Sequence, residues 1–70
     1  MRVVEITSEP VELYKILKFE GMVASGGEAK QLISEGYVLV NGKVETRKRK
    51  KIAAGDTIEF AQEIIRIQLS

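Results

Sequence analysis

Seventy residues without a cysteine or a histidine exclude a disulfide framework, thiolate or imidazole metal sites, and the usual nucleophile and base pairings of catalysis. At 44% hydrophobic and 30% charged residues the composition is that of one folded domain spanning 1–70, too short for two. The formal net charge of +1 hides a polarised chain: residues 43–51 hold Lys43, Arg47, Lys48, Arg49, Lys50 and Lys51 against Glu45, a net of +5, which leaves −4 for the rest.

Taken in chain order, Arg2 to Thr7 carries the β-branched Val3, Val4 and Ile6 and is predicted as an edge-forming strand, broken by Ser8-Glu9-Pro10. Proline is tolerated in the first turn of a helix, so a first helix is expected from Val11 to about Glu20, with Leu13, Ile16 and Leu17 on its buried face and Gly21 as its stop. Ser25 with Glu28 three residues on has the pattern of a capping box opening a second helix, whose Ala29, Leu32, Ile33 and Gly36 recur on one stripe. Gly36 is its expected C-terminal stop. Tyr37 to Val40 then reads as a strand, Asn41-Gly42 as a two-residue hairpin turn, and Lys43-Val44-Glu45 as the return strand, which the basic run interrupts or extends as far as Ile52. Ala54-Gly55-Asp56 is a turn, and Thr57–Phe60 and Ile64–Leu69 are two further strands joined near Ala61-Gln62-Glu63. The expected fold class is α+β, two packed helices against a small, mostly antiparallel sheet. Its expected core is Leu13, Ile16, Leu17, Ala29, Leu32, Ile33, Val38, Val40, Ile52, Ile58 and Phe60.

The five consecutive cations Arg47 to Lys51 repel one another, and a sugar–phosphate chain relieves that repulsion while releasing its own counterions, so nucleic acid is the leading partner class. The plain alternative is a solvated, solubilising loop. Tyr14 and Tyr37 could stack on unpaired bases, although a tyrosine in such positions is more often half-buried with its hydroxyl in water. Asp56, the only aspartate, is ordinary turn chemistry. No run approaches the roughly 18 to 20 apolar residues of a bilayer span. The N-terminus lacks a signal-peptide layout, so a cytoplasmic protein without a membrane partner is expected.

The series Gly21-Met22-Val23-Ala24-Ser25-Gly26-Gly27-Glu28-Ala29-Lys30-Gln31-Leu32-Ile33, then Gly36 to Val44 with Val40-Asn41-Gly42, then Ala54-Gly55-Asp56, resembles the S-four RNA-binding domain, named for ribosomal small-subunit protein four. The resemblance extends from about residue 12 to 60, and within the family it is nearest the small stand-alone bacterial members. It implies the helix, helix, hairpin arrangement called the αL motif and a non-catalytic RNA-binding module. Members typically carry an arginine at the start of each helix on the RNA-facing surface; here those positions are Glu12 and Gly26. Lys15 and Lys30 fall where the family often has basic residues, and Lys43 follows the hairpin turn as it often does there.

The expectation is therefore a structured, possibly ribosomal, RNA gripped through its phosphates by Lys15, Lys18, Lys30, Lys43, Arg47, Lys48, Arg49, Lys50 and Lys51. Gly26 and Gly27 would allow close approach to backbone N–H groups at the start of a capped helix, or would simply permit a tight helix–helix turn. No catalytic residue, metal, cofactor or small-molecule substrate is expected, and the expected state is a monomer. One rival is a protein-interaction module docking its basic loop on an acidic or ribosomal protein. Another is a ubiquitin-like sulfur carrier, which would need a C-terminal Gly-Gly where this chain has Leu69-Ser70.

Overall fold

The computed structural model describes residues 1–70. Its elements are β1 (Arg2–Ile6), β2 (Val11–Glu12), α1 (Leu13–Phe19), α2 (Gly26–Ser34), β3 (Leu39–Val40), β4 (Lys43–Val44), β5 (Lys51–Ile52), β6 (Thr57–Phe60) and β7 (Glu63–Leu69). Five strands form one sheet in the order β1-β7-β6-β3-β4, and β2 and β5 form a separate antiparallel pair. All pairings are antiparallel except β1 with β7, where Arg2 lies opposite Ile65 and Ile6 opposite Leu69. The sheet has one buried face. Val4, Ile6, Ile58, Ile65 and Ile67 point inward, while the alternate Val3, Glu5, Ile64, Arg66 and Gln68 are exposed. The inward residues pack with Leu13, Ile16 and Leu17 of α1 and Ala29 and Ile33 of α2, so the fold is α+β as expected.

Both helices end in the same way. Gly21 (φ 72°) and Gly36 (φ 87°) take the left-handed conformation that glycine adopts without a Cβ clash. The N–H groups of Met22 and Tyr37 reach back to the carbonyls of Leu17 and Leu32, and those of Gly21 and Gly36 to Lys18 and Ile33, a Schellman pair at each end. At the start of α2 Glu28 N–H donates to the Ser25 Oγ cap at 3.1 Å, while the Glu28 carboxylate reaches back one residue beyond the capping-box position and accepts from Ala24 N–H at 2.7 Å.

The first helix starts later than expected. Val11 and Glu12 are extended because they pair with Ile52 and Lys51, and the helix begins at Leu13. Pairing with a segment about 40 residues away overrides the local proline signal. The return strand of the hairpin also stops early, at Val44, and the chain that follows crosses over to β2 instead of extending β4.

Asn41 (φ 52°) and Gly42 (φ 81°) make the two-residue turn between β3 and β4. The Asn41 side chain also donates to Asp56 Oδ1 at 3.0 Å and accepts from Thr57 N–H at 2.9 Å, while Asp56 Oδ2 accepts from Ala53 N–H at 2.9 Å. The two turn motifs noted in the sequence therefore meet in space, and Asp56 is a structural residue. The turn from β6 to β7 places Ala61 (φ 54°) and Gln62 (φ 66°) in the same left-handed region, where a Cβ is unfavourable. Replacing this pair by Asn-Gly is expected to raise the unfolding free energy by about 1 kcal/mol, measurable as a higher urea midpoint at constant slope.

The core holds Val4, Ile6, Ile65 and Ile67 in addition to the expected residues, whereas Leu32 and Phe60 are only half-buried. Ile65-Arg66-Ile67-Gln68-Leu69 alternates strictly and marks the inward face of β7, while the burial of Val4 and Ile6 follows from the parallel pairing of β1 with β7. A groove of about 330 Å³ lies between β1 and α1, lined by Val4, Ile6, Val11, Ile16 and the largely exposed Phe19 among others. No helix is long and apolar enough to cross a membrane.

Candidate nucleic-acid interface

The basic run is fastened to the helix pair through its backbone. Beyond the β2–β5 pairing, the N–H groups of Leu13 and Tyr14, which have no partner within α1, donate to the carbonyls of Lys50 (2.9 Å) and Lys48 (3.2 Å). Lys50 N–H in turn donates to Arg47 C=O at 3.2 Å, closing a turn at Lys48-Arg49. Helix α1 has no side-chain N-cap, and the loop carbonyls take that place. The cations are thus carried on a loop that is hydrogen-bonded to the helix they flank.

Three elements then converge on one ring. Tyr14, half-buried on α1, has Lys30 Nζ of α2 at 4.6 Å from its centroid, the Arg49 guanidinium of the loop at 5.5 Å and Lys15 Nζ of α1 at 6.0 Å. A Cβ on Gly26 would lie 3.7 Å from the same ring and 3.8 Å from the Lys18 side chain, which places the start of α2 and Lys18 beside the cluster. That contact is ordinary van der Waals packing and φ is not positive, so neither space nor backbone demands glycine at Gly26 or Gly27. Tyr37, by contrast, is 60% exposed and stands clear of the core, against the half-buried expectation.

Two carboxylates modulate the charge. Glu45 takes hydrogen bonds from Arg47 N–H at 3.0 Å, Nε at 2.9 Å and an Nη at 3.2 Å, which closes the guanidinium back on its own loop. Glu12 lies between Lys15 Nζ at 3.4 Å and Arg49 Nη1 at 3.5 Å. Of the expected contact residues, Lys15, Lys30 and Arg49 are brought together, Lys18 and Gly26 lie beside the same ring, and Lys48, Lys50 and Lys51 are tied to the start of α1 by backbone pairing. Gly27 is exposed on the first turn of α2. Lys43 is exposed on β4, at the far edge of the sheet, and takes no part in the ion pairs or ring contacts. Arg47, Arg49 and Lys15 are partly offset charges, so mutual repulsion along the run is weaker than the sequence implies. Neither the ring hub at Tyr14 nor the bridging place of Glu12 was foreseen. The Glu12–Lys15 spacing of three hinted at a pair, but Arg49 is 37 positions away.

The Glu45 carboxyl is held below the usual glutamate range, chiefly by the Arg47 side-chain hydrogen bonds and then by the Arg47 backbone N–H; the same pairing raises the Arg47 guanidinium. At Glu12 partial desolvation opposes ionisation, but the Lys15 hydrogen bond and the charges of Arg49, Lys15 and Lys51 outweigh it and lower the pKa. A depressed carboxyl stabilises the fold above its unfolded pKa near 4.5, and this share is lost as pH falls through the lower native value. Stability is expected to fall on acidification below about pH 4.5, and Glu45→Gln to remove part of that dependence while lowering stability at pH 7 by at most about 1 kcal/mol, as judged by urea unfolding across pH.

A one-faced α+β domain, with two capped helices joined to an Asn-Gly hairpin and a cation cluster on the helix side, is the αL arrangement. The profile of the S4 domain family matches residues 4–68, and the chain belongs to that family. It is 53% identical over 57 residues to "Putative RNA-binding protein YbcJ" of Escherichia coli (strain K12), covering 81% of each chain. To "Probable ribosome maturation protein RlbA" of Bacillus subtilis (strain 168) it is 38% identical over 57 residues, covering 81% of this chain and 80% of that one. The solution structure of E. coli YbcJ, described as revealing an αL motif involved in RNA-binding, matches with a TM-score of 0.73 and 46% identity, covering 97% of this chain and 87% of that chain.

Proposed function

We propose that this chain is a non-catalytic RNA-binding module that holds the phosphate backbone of a structured RNA, with ribosomal RNA the favoured class. The observation that carries this is the convergence of Lys15, Lys30 and Arg49, from three separate elements, on the Tyr14 ring. Tyr14 and Glu12 hold three like charges together in the free fold, and a polyanion is bound best by such a cluster. The likeness to the E. coli RNA-binding protein supports RNA as the polyanion, and the likeness to the B. subtilis ribosome maturation protein favours ribosomal RNA within that class. Lys18, Lys48, Lys50 and Lys51 would extend the grip along the backbone, Lys43 and Arg47 would add charge at its margin, and Gly26 and Gly27 would let a phosphate approach the start of α2. Such contacts position RNA without reading its sequence, so recognition would rest on the shape of the RNA. Engagement of about four to six phosphates gives a slope of log affinity against log salt of roughly −3 to −5. Titration of purified ribosomal RNA at several salt concentrations tests this, and a flat dependence would exclude the phosphate grip.

A further inference from the structure

The two carboxylates that touch the basic loop do so in different ways. Glu45 is two residues from Arg47, meets it through three hydrogen bonds of 2.9 to 3.2 Å, and so forms a closed local chelate. Glu12 instead stands between cations from different elements, one oxygen 3.4 Å from Lys15 Nζ and the other 3.5 Å from Arg49 Nη1. Those distances exceed the 2.7–2.9 Å of a well-formed charge-assisted bond, so each of the two contacts is weaker than those of the Glu45 chelate. Its backbone is fixed by pairing with Lys51, which tethers the side chain beside the cluster whether or not it is seated there. Both cations keep much of their side chains in solvent, leaving room for an outside anion to reach them.

We infer that the space taken by the Glu12 carboxylate, between Lys15 and Arg49, is a seat for one phosphodiester group, and that Glu12 is a tethered competitor which RNA must displace. This rests on the RNA-binding proposal and deepens it. A phosphate oxygen pair has the spacing and charge to bridge an ammonium and a guanidinium as the carboxylate does, with arginine able to bind it through two nitrogens. Displacement exchanges one anion for another, so the seat contributes less to affinity than two uncommitted cations would.

The test compares Glu12→Gln with Glu45→Gln, two variants that change the net charge of the same region by the same amount. Purified ribosomal RNA is the probe, and the thermal midpoint of each variant checks the fold. Glu12→Gln is expected to tighten binding about fivefold with little change in the salt slope, because the same phosphate fills the seat in both proteins, whereas Glu45→Gln changes affinity less than about twofold. Glu12→Ala, which also removes the competing carboxylate, should move affinity in the same direction as Glu12→Gln. Equal tightening in the Glu12→Gln and Glu45→Gln variants would reduce the effect to overall charge and overturn the seat. Weaker binding by Glu12→Gln would show that Glu12 positions the cations instead of competing with the ligand. Failure of the unsubstituted protein to bind RNA at all would overturn the parent proposal instead, and is told apart by the wild-type titration.

Discussion

Combining Lys30→Ala, Arg49→Ala and Lys51→Ala is expected to weaken binding to purified ribosomal RNA by about 100-fold near physiological salt, with the salt slope flattened by about 2 to 3. Each phosphate contact that releases a counterion contributes roughly fivefold at such salt, and the three residues come from α2, the loop turn and β5. Lys30 and Lys51 enter no ion pair within the chain, so no carboxylate is seated on either of them. Removing Arg49 also leaves Glu12 with Lys15 as its only ion-pair partner, which adds uncompensated negative charge to the site. All three side chains project from the surface or from half-buried positions, and none is in the core, so the fold should persist with a stability change within about 1 kcal/mol. Retention of wild-type affinity in this variant would move the binding surface away from Tyr14 altogether.

Ile52→Ala should have the largest effect on stability that also reaches the site. Ile52 is fully buried, and its strand pairs with β2 and anchors the end of the basic run. Truncating a buried isoleucine costs about 2 to 5 kcal/mol through lost transfer energy and the cavity left behind. For a domain of this size total stability is on the order of 4 to 10 kcal/mol, so the variant approaches the limit of folding. Ile65→Ala supplies the control: it is equally buried, but it lies on β7 beside β1 and makes no pairing with the loop. Both variants should lose comparable stability in urea, yet only Ile52→Ala should weaken RNA binding under conditions where both remain folded. Equal RNA affinity in the two would mean that the loop does not need its anchor.

Much of the local structure was legible because its causes are local. Ser25 and Glu28 mark the start of α2, since a serine oxygen and a glutamate three residues on satisfy amides that no helix can satisfy itself. Gly21, Gly36 and Asn41-Gly42 mark stops and a turn because few other residues accept positive φ. Ala61-Gln62 shows the limit of that rule: the strand pairing on either side imposes the turn on residues that do not favour it. The start of α1 was misplaced by the proline signal, and the burial of Val4 and Ile6 was missed, in each case because pairing between distant segments decided the outcome.

The candidate site divides in the same way. A concentration of cations in residues 43–51, a helix pair bearing Lys15, Lys18 and Lys30, and the spacing that places the chain in its family are all properties of the sequence. Which cations act together is not. Arg49 reaches Tyr14 and Glu12 only because β5 pairs with β2 and the loop carbonyls cap α1; Lys43, inside the same basic segment, is held in β4 at an edge of the five-stranded sheet and takes no part in those contacts. Charge content, side-chain capping and glycine stops act over a few residues and so are written along the chain, whereas the grouping of charges depends on hydrogen-bonded pairing between segments far apart in sequence, which forms only when the whole core is buried.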